Sequence, residues 1–419
     1  MTVVVCGLAT VGATMAAWLL QRGHEVIGVD LDDAKREAAA GGGAPVAEPG
    51  LAEVFAEGIA AGALSVTADM ATAVADPRVE TVAIAVGTPR TEDGSLSLAQ
   101  IHAATNAVID GIRRRPPGSP RVLICYRSTL PPGTCRDVLL PKLEQALGPA
   151  GGWFEIAFHP EFLRMGHALA DAADPGRIVL GERYPGASHR LNGLYGNPSA
   201  TVFELDFTSA EMAKLMDNTF RANKVAFANE TARLALAAGA DPAGVMRVLT
   251  ADERYNLSDA YLTPGLPFGG YCLPKDSAGV AEAAREWGVE TPLFSALNIS
   301  NAAHADAIAH AVLSQYPTGS RLLQIGLGFK PGSNDLRESP LHDLAERLLQ
   351  AGIGLAIYDP AFPSADSMPA PLRGCWRARP DAGNVEAVIL GHPWPHAARR
   401  PLAPVIDLTH LSSFQPALP

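Results

Sequence analysis

The chain has 419 residues, of which 47% are apolar and 18% charged, with a formal charge of -11. That length fits two or three domains with sizeable cores and excludes an intrinsically disordered chain. The acidic balance excludes a general nucleic-acid binder, so an anionic ligand would need a local positive pocket. The five cysteines (Cys6, Cys125, Cys135, Cys272, Cys375) are scattered, without a Cys-x-x-Cys pair. This argues for a reducing compartment and against a disulfide framework or a zinc site. No cationic leader and no apolar run of membrane-spanning length is read, so a soluble cytoplasmic protein is expected.

In chain order, Val3–Cys6 reads as a short strand, Ala13–Gln21 as a helix and Glu25–Asp30 as a second strand. Further strands are expected at Thr81–Val86, Arg121–Tyr126, Phe154–Phe158 and Ile178–Leu180, with helices between most of them. Such alternation predicts a mostly parallel sheet wound on both faces. From Thr208 to about Ala238 the pattern turns helical without a proline break. Thr208 with Glu211 reads as a capping box, and Gly239 as the stop. At about 1.5 Å per residue this helix spans roughly 45 Å, long enough to suggest a dimer interface. Asp241-Pro242 opens another helix as N-cap and N1, and a further helix is expected over Pro292–Gln315. A second strand–turn–helix pattern begins with the strand Leu322–Leu327, the loop Gly328–Asn334 and the helix Pro340–Gln350. Gly354–Tyr358, Val385–Leu390 and Val405–Leu408 are the remaining strand candidates.

The fold class expected is therefore α/β, with two Rossmann-like doubly wound domains joined by a central all-helical dimerisation region. The boundaries are placed at 1–200, 201–300 and 301–419.

Gly7-Leu-Ala-Thr-Val-Gly12 follows a strand and opens a helix. It is similar to the dinucleotide fingerprint, in which glycines let backbone N–H groups approach a pyrophosphate. Ala9 stands where the second glycine would be. Asp30 ends the second strand, where a carboxylate binds ribose hydroxyls and repels a 2′-phosphate, favouring NAD over NADP. On the long helix, Lys214 and Asn218 are four residues apart and share a face, a cation and an amide suited to an oxyanion. The alternative is a solvated helix face. In Phe268-Gly-Gly-Tyr-Cys272-Leu-Pro-Lys275-Asp276 the two glycines permit close backbone approach, and a lysine beside the cysteine favours the thiolate. Here the alternative is a buried cysteine before a helix capped by Asp276.

These segments, with Gly87-Thr-Pro89, Ser128-Thr-Leu-Pro-Pro-Gly-Thr134, Pro160-Glu-Phe-Leu-Arg164, Glu211-Met-Ala-Lys-Leu-Met-Asp-Asn218, Gly326-Leu-Gly-Phe-Lys330 and Asp335-Leu-Arg-Glu-Ser-Pro340, give the chain its resemblance to a family. It resembles the UDP-glucose/GDP-mannose dehydrogenases nearly end to end.

The resemblance implies an NAD domain, a helical dimerisation region and a nucleotide-sugar domain. It implies oxidation of a sugar C6 alcohol to a carboxylate in two NAD-dependent steps, through a thioester on Cys272. Lys214 and Asn218 would stabilise the C6 oxygen, Asp276 and Glu161 would serve water activation and acid/base work, and Thr129 would lie near the nicotinamide. Gly7, Val11, Gly12, Asp30, Thr88, Thr129 and Arg337 are the implied cofactor residues. Phe162, Leu163, Asn256, Tyr261, Phe268, Gly269 and Lys330 are the implied substrate residues, and no metal is implied.

Asn256-Leu-Ser258, Tyr261 and Pro264-Gly265 resemble the GDP-mannose branch more than the UDP-glucose branch. Ala260, Thr263, Tyr271, His159 and Met165 depart from the GDP-mannose pattern, which leaves UDP-glucose or another specialised sugar nucleotide as alternatives. A two-electron dehydrogenase of the β-hydroxyacid type would need neither Cys272 nor a second α/β domain. A catalytically lost NAD- and sugar-nucleotide-binding protein is the non-enzyme alternative.

Overall fold

A computed structural model of the chain describes residues 1–187, 189–195, 199–237, 239–251, 263–286, 291–395 and 403–409. It divides into two compact units, Met1–Met216 and Asp217–Pro419.

Among the described residues, the first unit holds eight strands: β1 (Thr2–Cys6), β2 (Glu25–Val29), β3 (Leu64–Thr67), β4 (Val79–Ile84), β5 (Val122–Tyr126), β6 (Phe154–Phe158), β7 (Arg177–Glu182) and β8 (Thr201–Asp206). They lie in the order β3-β2-β1-β4-β5-β6-β7-β8. Every pairing is parallel except β6 with β7, which is antiparallel. The helices are α1 (Thr10–Gln21), α2 (Asp33–Ala40), α3 (Leu51–Ala60), α4 (Met70–Ala75), α5 (Ala99–Arg113), α6 (Leu140–Leu147), α7 (Ala168–Ala173) and α8 (His189–Tyr195).

Strand residues alternate between two cores, as the two-residue period of a strand requires. Val4, Val82, Ile84 and Ile124 pack with α4 and α5 on one face. Val3, Val5, Ala83 and Leu123 pack with α1 and α3 on the other. The strand order reverses between β1 and β4, and in open α/β sheets the crevice at the carboxyl ends of such strands receives ligands.

The long helix α9 (Phe207–Ala237) runs through the division between the units, and α10 (Pro242–Thr250), α11 (Cys272–Glu286) and α12 (Pro292–Gln315) follow. Asp241 caps α10 by accepting from Ala243 and Gly244, with Pro242 in its first turn, as expected. The capping box at the start of α9 is a correction. The helix begins one residue earlier, and Asp206 accepts from the Ser209 N–H and hydroxyl at 3.0 and 2.6 Å. Glu211 is thereby released from capping and is fully buried.

The second unit carries, among its described residues, β9 (Arg321–Ile325), β10 (Gly354–Tyr358), β11 (Ala387–Leu390) and β12 (Val405–Asp407), ordered β10-β9-β11-β12 and all parallel. Helix α13 (Pro340–Gln350) starts with Ser339 as N-cap and buries Leu341, Leu344, Ala345 and Leu348, the i, i+3, i+4, i+7 stripe of a core-facing helix. With α12 it covers the face of this sheet lined by Leu322, Leu355 and Ile389.

Candidate active site

In the first unit, Thr88 lies just past β4 and is buried, while Thr129 lies just past β5 and is half-buried. The Thr88 hydroxyl donates to the Thr129 carbonyl at 3.0 Å, and the Ser128 hydroxyl donates to the Val86 carbonyl at 2.6 Å. The loops that follow β4 and β5 are thus stitched together beside the reversal of strand order.

Past β6, Glu161 receives the Lys214 ammonium at 2.9 Å and the Leu163 N–H at 2.7 Å. Lys214 is 2% exposed. Burial, the largest single influence, raises the Glu161 carboxyl; the Lys214 ammonium, the Leu163 N–H and Arg127 together outweigh it and hold the group below its usual range. The Glu161 carboxyl is therefore ionised at neutral pH. The Phe162 ring lies under two cations, the Arg177 guanidinium at 4.0 Å and the Lys214 ammonium at 5.4 Å.

In the second unit, Cys272 is the first residue of α11 and is exposed, whereas the other four cysteines are buried. A thiol at a helix N-terminus faces the positive end of the helix dipole, which favours the thiolate. Because α11 begins at Cys272, Asp276 sits in its second turn and is not an N-cap. Asp276 is fully buried, takes the Lys275 ammonium at 2.5 Å on one oxygen and the Asn218 amide on the other. So Lys275 spends its charge on Asp276.

The cation nearest the Tyr271 ring is Arg337, whose guanidinium stacks on it at 4.3 Å. Hydrogen bonds to Asp335 push the pKa of that guanidinium further up against the opposing effect of burial, and Tyr271 and Cys272 lie close enough to add to the pull.

The loop before Cys272 is held from several sides. Asn301 brackets Phe268, accepting its N–H and donating to its carbonyl, both at 2.8 Å. Asn229 accepts from the Gly265 N–H at 3.1 Å, and His304 donates to the Gly265 carbonyl at 2.7 Å. Burial pushes the His304 imidazole down to about 4, so it donates as the neutral ring. Gly270 has φ +80°, and a side chain there would meet the Phe329 ring at 2.7 Å. A side chain at Gly269 would meet the Glu338 carbonyl oxygen at 2.3 Å. Glu338 is itself left-handed at φ 51° and accepts from the Gly270 N–H. Lys330 lies two residues past Gly328 and is half-buried. Asn256 and Tyr261 lie outside the described residues.

Sequence reading missed Asn301, Asn229 and His304, which act through backbone contacts that no motif advertises, and it quoted Glu338 within the Asp335–Pro340 block without giving it a role. It noted His159 only as a departure. That ring is buried, with Nδ1 accepting from Arg127 at 2.5 Å and Nε2 against the Tyr195 hydroxyl at 3.0 Å. Burial, aided by Arg127, pushes His159 well below its ordinary value, so it is neutral.

Comparison with known proteins decides the family. The NAD-binding, central and UDP-binding domain models of the UDP-glucose/GDP-mannose dehydrogenase family match residues 1–198, 208–303 and 323–406. The chain belongs to the UDP-glucose/GDP-mannose dehydrogenase family. It is 40% identical to GDP-mannose 6-dehydrogenase of Azotobacter vinelandii over 86% of this chain and 81% of that one. It is 35% identical to UDP-glucose 6-dehydrogenase of Haloferax volcanii over 85% and 82%. The structure of a UDP-glucose dehydrogenase from Pyrobaculum islandicum superposes with a TM-score of 0.89 at 31% identity, covering 99% of this chain and 95% of that one.

The protein is thus an oxidoreductase, an NAD-dependent nucleotide-sugar dehydrogenase. The first unit fits NAD. A side chain at Gly12 would lie 1.7 Å from the Gly7 carbonyl oxygen, so only glycine permits this turn. Helix α1 opens at Ala9 without a side-chain cap, leaving its first N–H groups for a pyrophosphate. Asp30 accepts from the Leu8 N–H at 2.6 Å and the Asp32 N–H at 2.9 Å, and each oxygen keeps a lone pair for a ribose hydroxyl.

Proposed function

We propose that this dehydrogenase oxidises the C6 hydroxymethyl of a nucleotide sugar to a carboxylate, in four electrons, through a thioester on Cys272, and that a GDP-mannose-like nucleotide is its substrate. The observation that carries the mechanism is the exposed thiol at the start of α11, beside Arg337 and a buried Asn218–Asp276–Lys275 cluster. The substrate reading rests on the Asn256 to Gly265 segment and on the higher identity to a GDP-mannose 6-dehydrogenase, 40% against 35%.

NAD, when bound, supplies the hydride acceptor for both oxidations. Lys214 and Asn218 stabilise negative charge on the C6 oxygen in each. The Cys272 thiolate adds to the C6 aldehyde, forming a C–S bond and a tetrahedral carbon that still bears hydrogen. Loss of that hydrogen as hydride leaves the thioester. Asp276 and Glu161 serve the water that cleaves the C–S bond and returns the thiolate. Thr129 would face the nicotinamide when NAD is bound, with Gly7, Val11, Gly12, Asp30, Thr88 and Arg337 as the other cofactor residues. Phe162, Leu163, Asn256, Tyr261, Phe268, Gly269 and Lys330 hold the substrate.

We take residues 1–200, 201–300 and 301–419 as the NAD, dimerisation and nucleotide-sugar domains. A homodimer through the central helices is supported by exposed Phe220 and Phe227 on α9, Val248 on α10 and Leu293 and Ile299 on α12. Among the described residues no helix is long and apolar enough to cross a membrane; the unpaired cysteines favour the cytoplasm.

The test is NADH yield with limiting GDP-mannose, UDP-glucose, UDP-N-acetyl sugars and dTDP-glucose. Two NADH per molecule of one substrate are expected, and one NADH would replace the four-electron reading with a two-electron one. Cys272→Ser should stop acid formation by roughly a thousand-fold or more while still binding NAD. Uronate production at the wild-type rate would rule out the thioester.

A further inference from the structure

Glu211 has no part in the mechanism above, yet it is fully buried on α9, one turn before Lys214. Its carboxylate accepts two backbone N–H groups, from Gly133 at 2.5 Å and Cys135 at 2.8 Å. Those amides open the π-helical segment Thr134–Leu139 that ends the Ser128–Gly133 loop. The same loop carries Thr129, whose carbonyl receives the Thr88 hydroxyl. One carboxylate thus fastens the helix bearing Lys214 to the loop bearing Thr129.

We propose that Glu211 is a positioning residue that clamps the Ser128–Gly133 loop for NAD, and that the clamp is firm only when Glu211 is ionised. The proposal rests on the assignment of Thr129 to the cofactor. Ionised, each oxygen takes one charge-assisted N–H bond. Protonated, one oxygen becomes a donor beside a backbone N–H, and half of the clamp weakens.

The groups facing Glu211 come from the π-helical segment. The Cys135 thiol is held neutral by burial, and Arg136 exerts a weak pull because its guanidinium is paired with Asp137. Burial outweighs the Cys135 and Gly133 contacts and Arg136, and raises Glu211 to about 7. The switch therefore lies near neutral pH.

The test is the NAD dissociation constant between pH 5.5 and 8.5, by calorimetry, without sugar nucleotide. Wild-type affinity should fall about ten-fold as pH drops through 7, the worth of one charge-assisted hydrogen bond. Glu211→Gln should bind at the weaker level at every pH. A Gln variant that keeps the wild-type profile, or one whose affinity still falls ten-fold on acidification from a uniformly lower level, would overturn the proposal. Hydrogen exchange on the wild type needs no variant. Protection factors at the Gly133 and Cys135 amides should drop below pH 7 more than those of β5, and equal changes would count against the clamp. Wild-type protein that does not bind NAD would remove the reading of the first unit as well; tight but pH-independent binding would sink the clamp alone.

Discussion

The two sheets solve the same local problem with opposite use of a carboxylate. In each, the first strand runs into a left-handed glycine, Gly7 or Gly326, and an aspartate past the neighbouring strand ties that loop down. Asp30 makes two backbone contacts and keeps 12% of its side chain exposed. Asp359 accepts from Leu327, Gly328 and Ala361 at 2.8, 3.1 and 2.9 Å and has 0% of its side chain exposed. His392 closes over it, with Nε2 donating to the Gly328 carbonyl at 3.0 Å. The first carboxylate is left for a ligand, and the second is spent inside the protein. A strand–glycine–helix pattern therefore does not by itself mark a dinucleotide site. What separates the two is how much of the acid's hydrogen-bonding capacity the fold consumes.

The harshest way to break this contrast is to free a spent carboxylate in the first unit. Lys214→Met leaves Glu161 buried without its cation, a loss of about 4 kcal/mol of stability at neutral pH. The sign follows from the pKa. In the wild type, Glu161 lies below the usual 4.5, so its contribution is present above that value and lost as pH falls through its own pKa. In the variant the Leu163 N–H and Arg127 remain, but burial, the largest influence, outweighs them and lifts the carboxyl above 4.5. The difference between the two proteins should therefore be small at pH 4 and widen towards pH 8 in urea unfolding. The same deficit at both values would show that Lys214 contributes packing and not charge.

Next in size is a matched pair that addresses the contrast directly. Asp359→Asn keeps one acceptor oxygen, turns the other into a donor facing a backbone N–H and removes the charge, and should cost about 2 kcal/mol, with NAD affinity unchanged. Asp30→Asn should leave stability within about 0.5 kcal/mol but weaken NAD roughly ten-fold. Reversed outcomes would mean that the second loop, not the first, receives the dinucleotide.

Much of this was legible in the sequence, for definable reasons. Phe154–Phe158, Gly354–Tyr358 and Pro292–Gln315 were read to the residue, because buried strands and a helix opened by proline carry strong local signals. Strands β3 and β8 were not read. One has four residues, and the other is largely exposed along its length, so neither shows an apolar run. The antiparallel pairing of β6 and β7 depends on connection geometry, which periodicity does not encode. In the site, motif residues such as Cys272, Lys214 and Asp276 were visible. Glu211 was visible but misread, because a Thr-x-x-Glu spacing looks the same whether the glutamate turns back to its own helix end or reaches another loop. Asn301 and His304 gave no signal, since their partners are backbone atoms more than thirty residues away.

The smallest expected effect concerns the nucleophile's own surroundings. Arg337 is held between Asp335 and the Tyr271 face, next to Cys272. The stack is worth about 0.5–1 kcal/mol at an exposed site. If it keeps the guanidinium near the sulfur, Tyr271→Leu, which retains bulk and loses the aromatic face, should slow alkylation of Cys272 by iodoacetamide at pH 7 by about two- to three-fold. Tyr271→Phe retains the face and should react as the wild type does. The two variants together isolate the ring from the hydroxyl. If both slow the reaction equally, the hydroxyl matters and the stack does not. If neither does, Asp335 alone fixes Arg337, and the large residue beside the nucleophile serves the substrate instead of the thiolate. The buried cysteines offer a ready control, since Cys6, Cys125 and Cys135 in the first unit and Cys375 in the second should remain unreactive throughout.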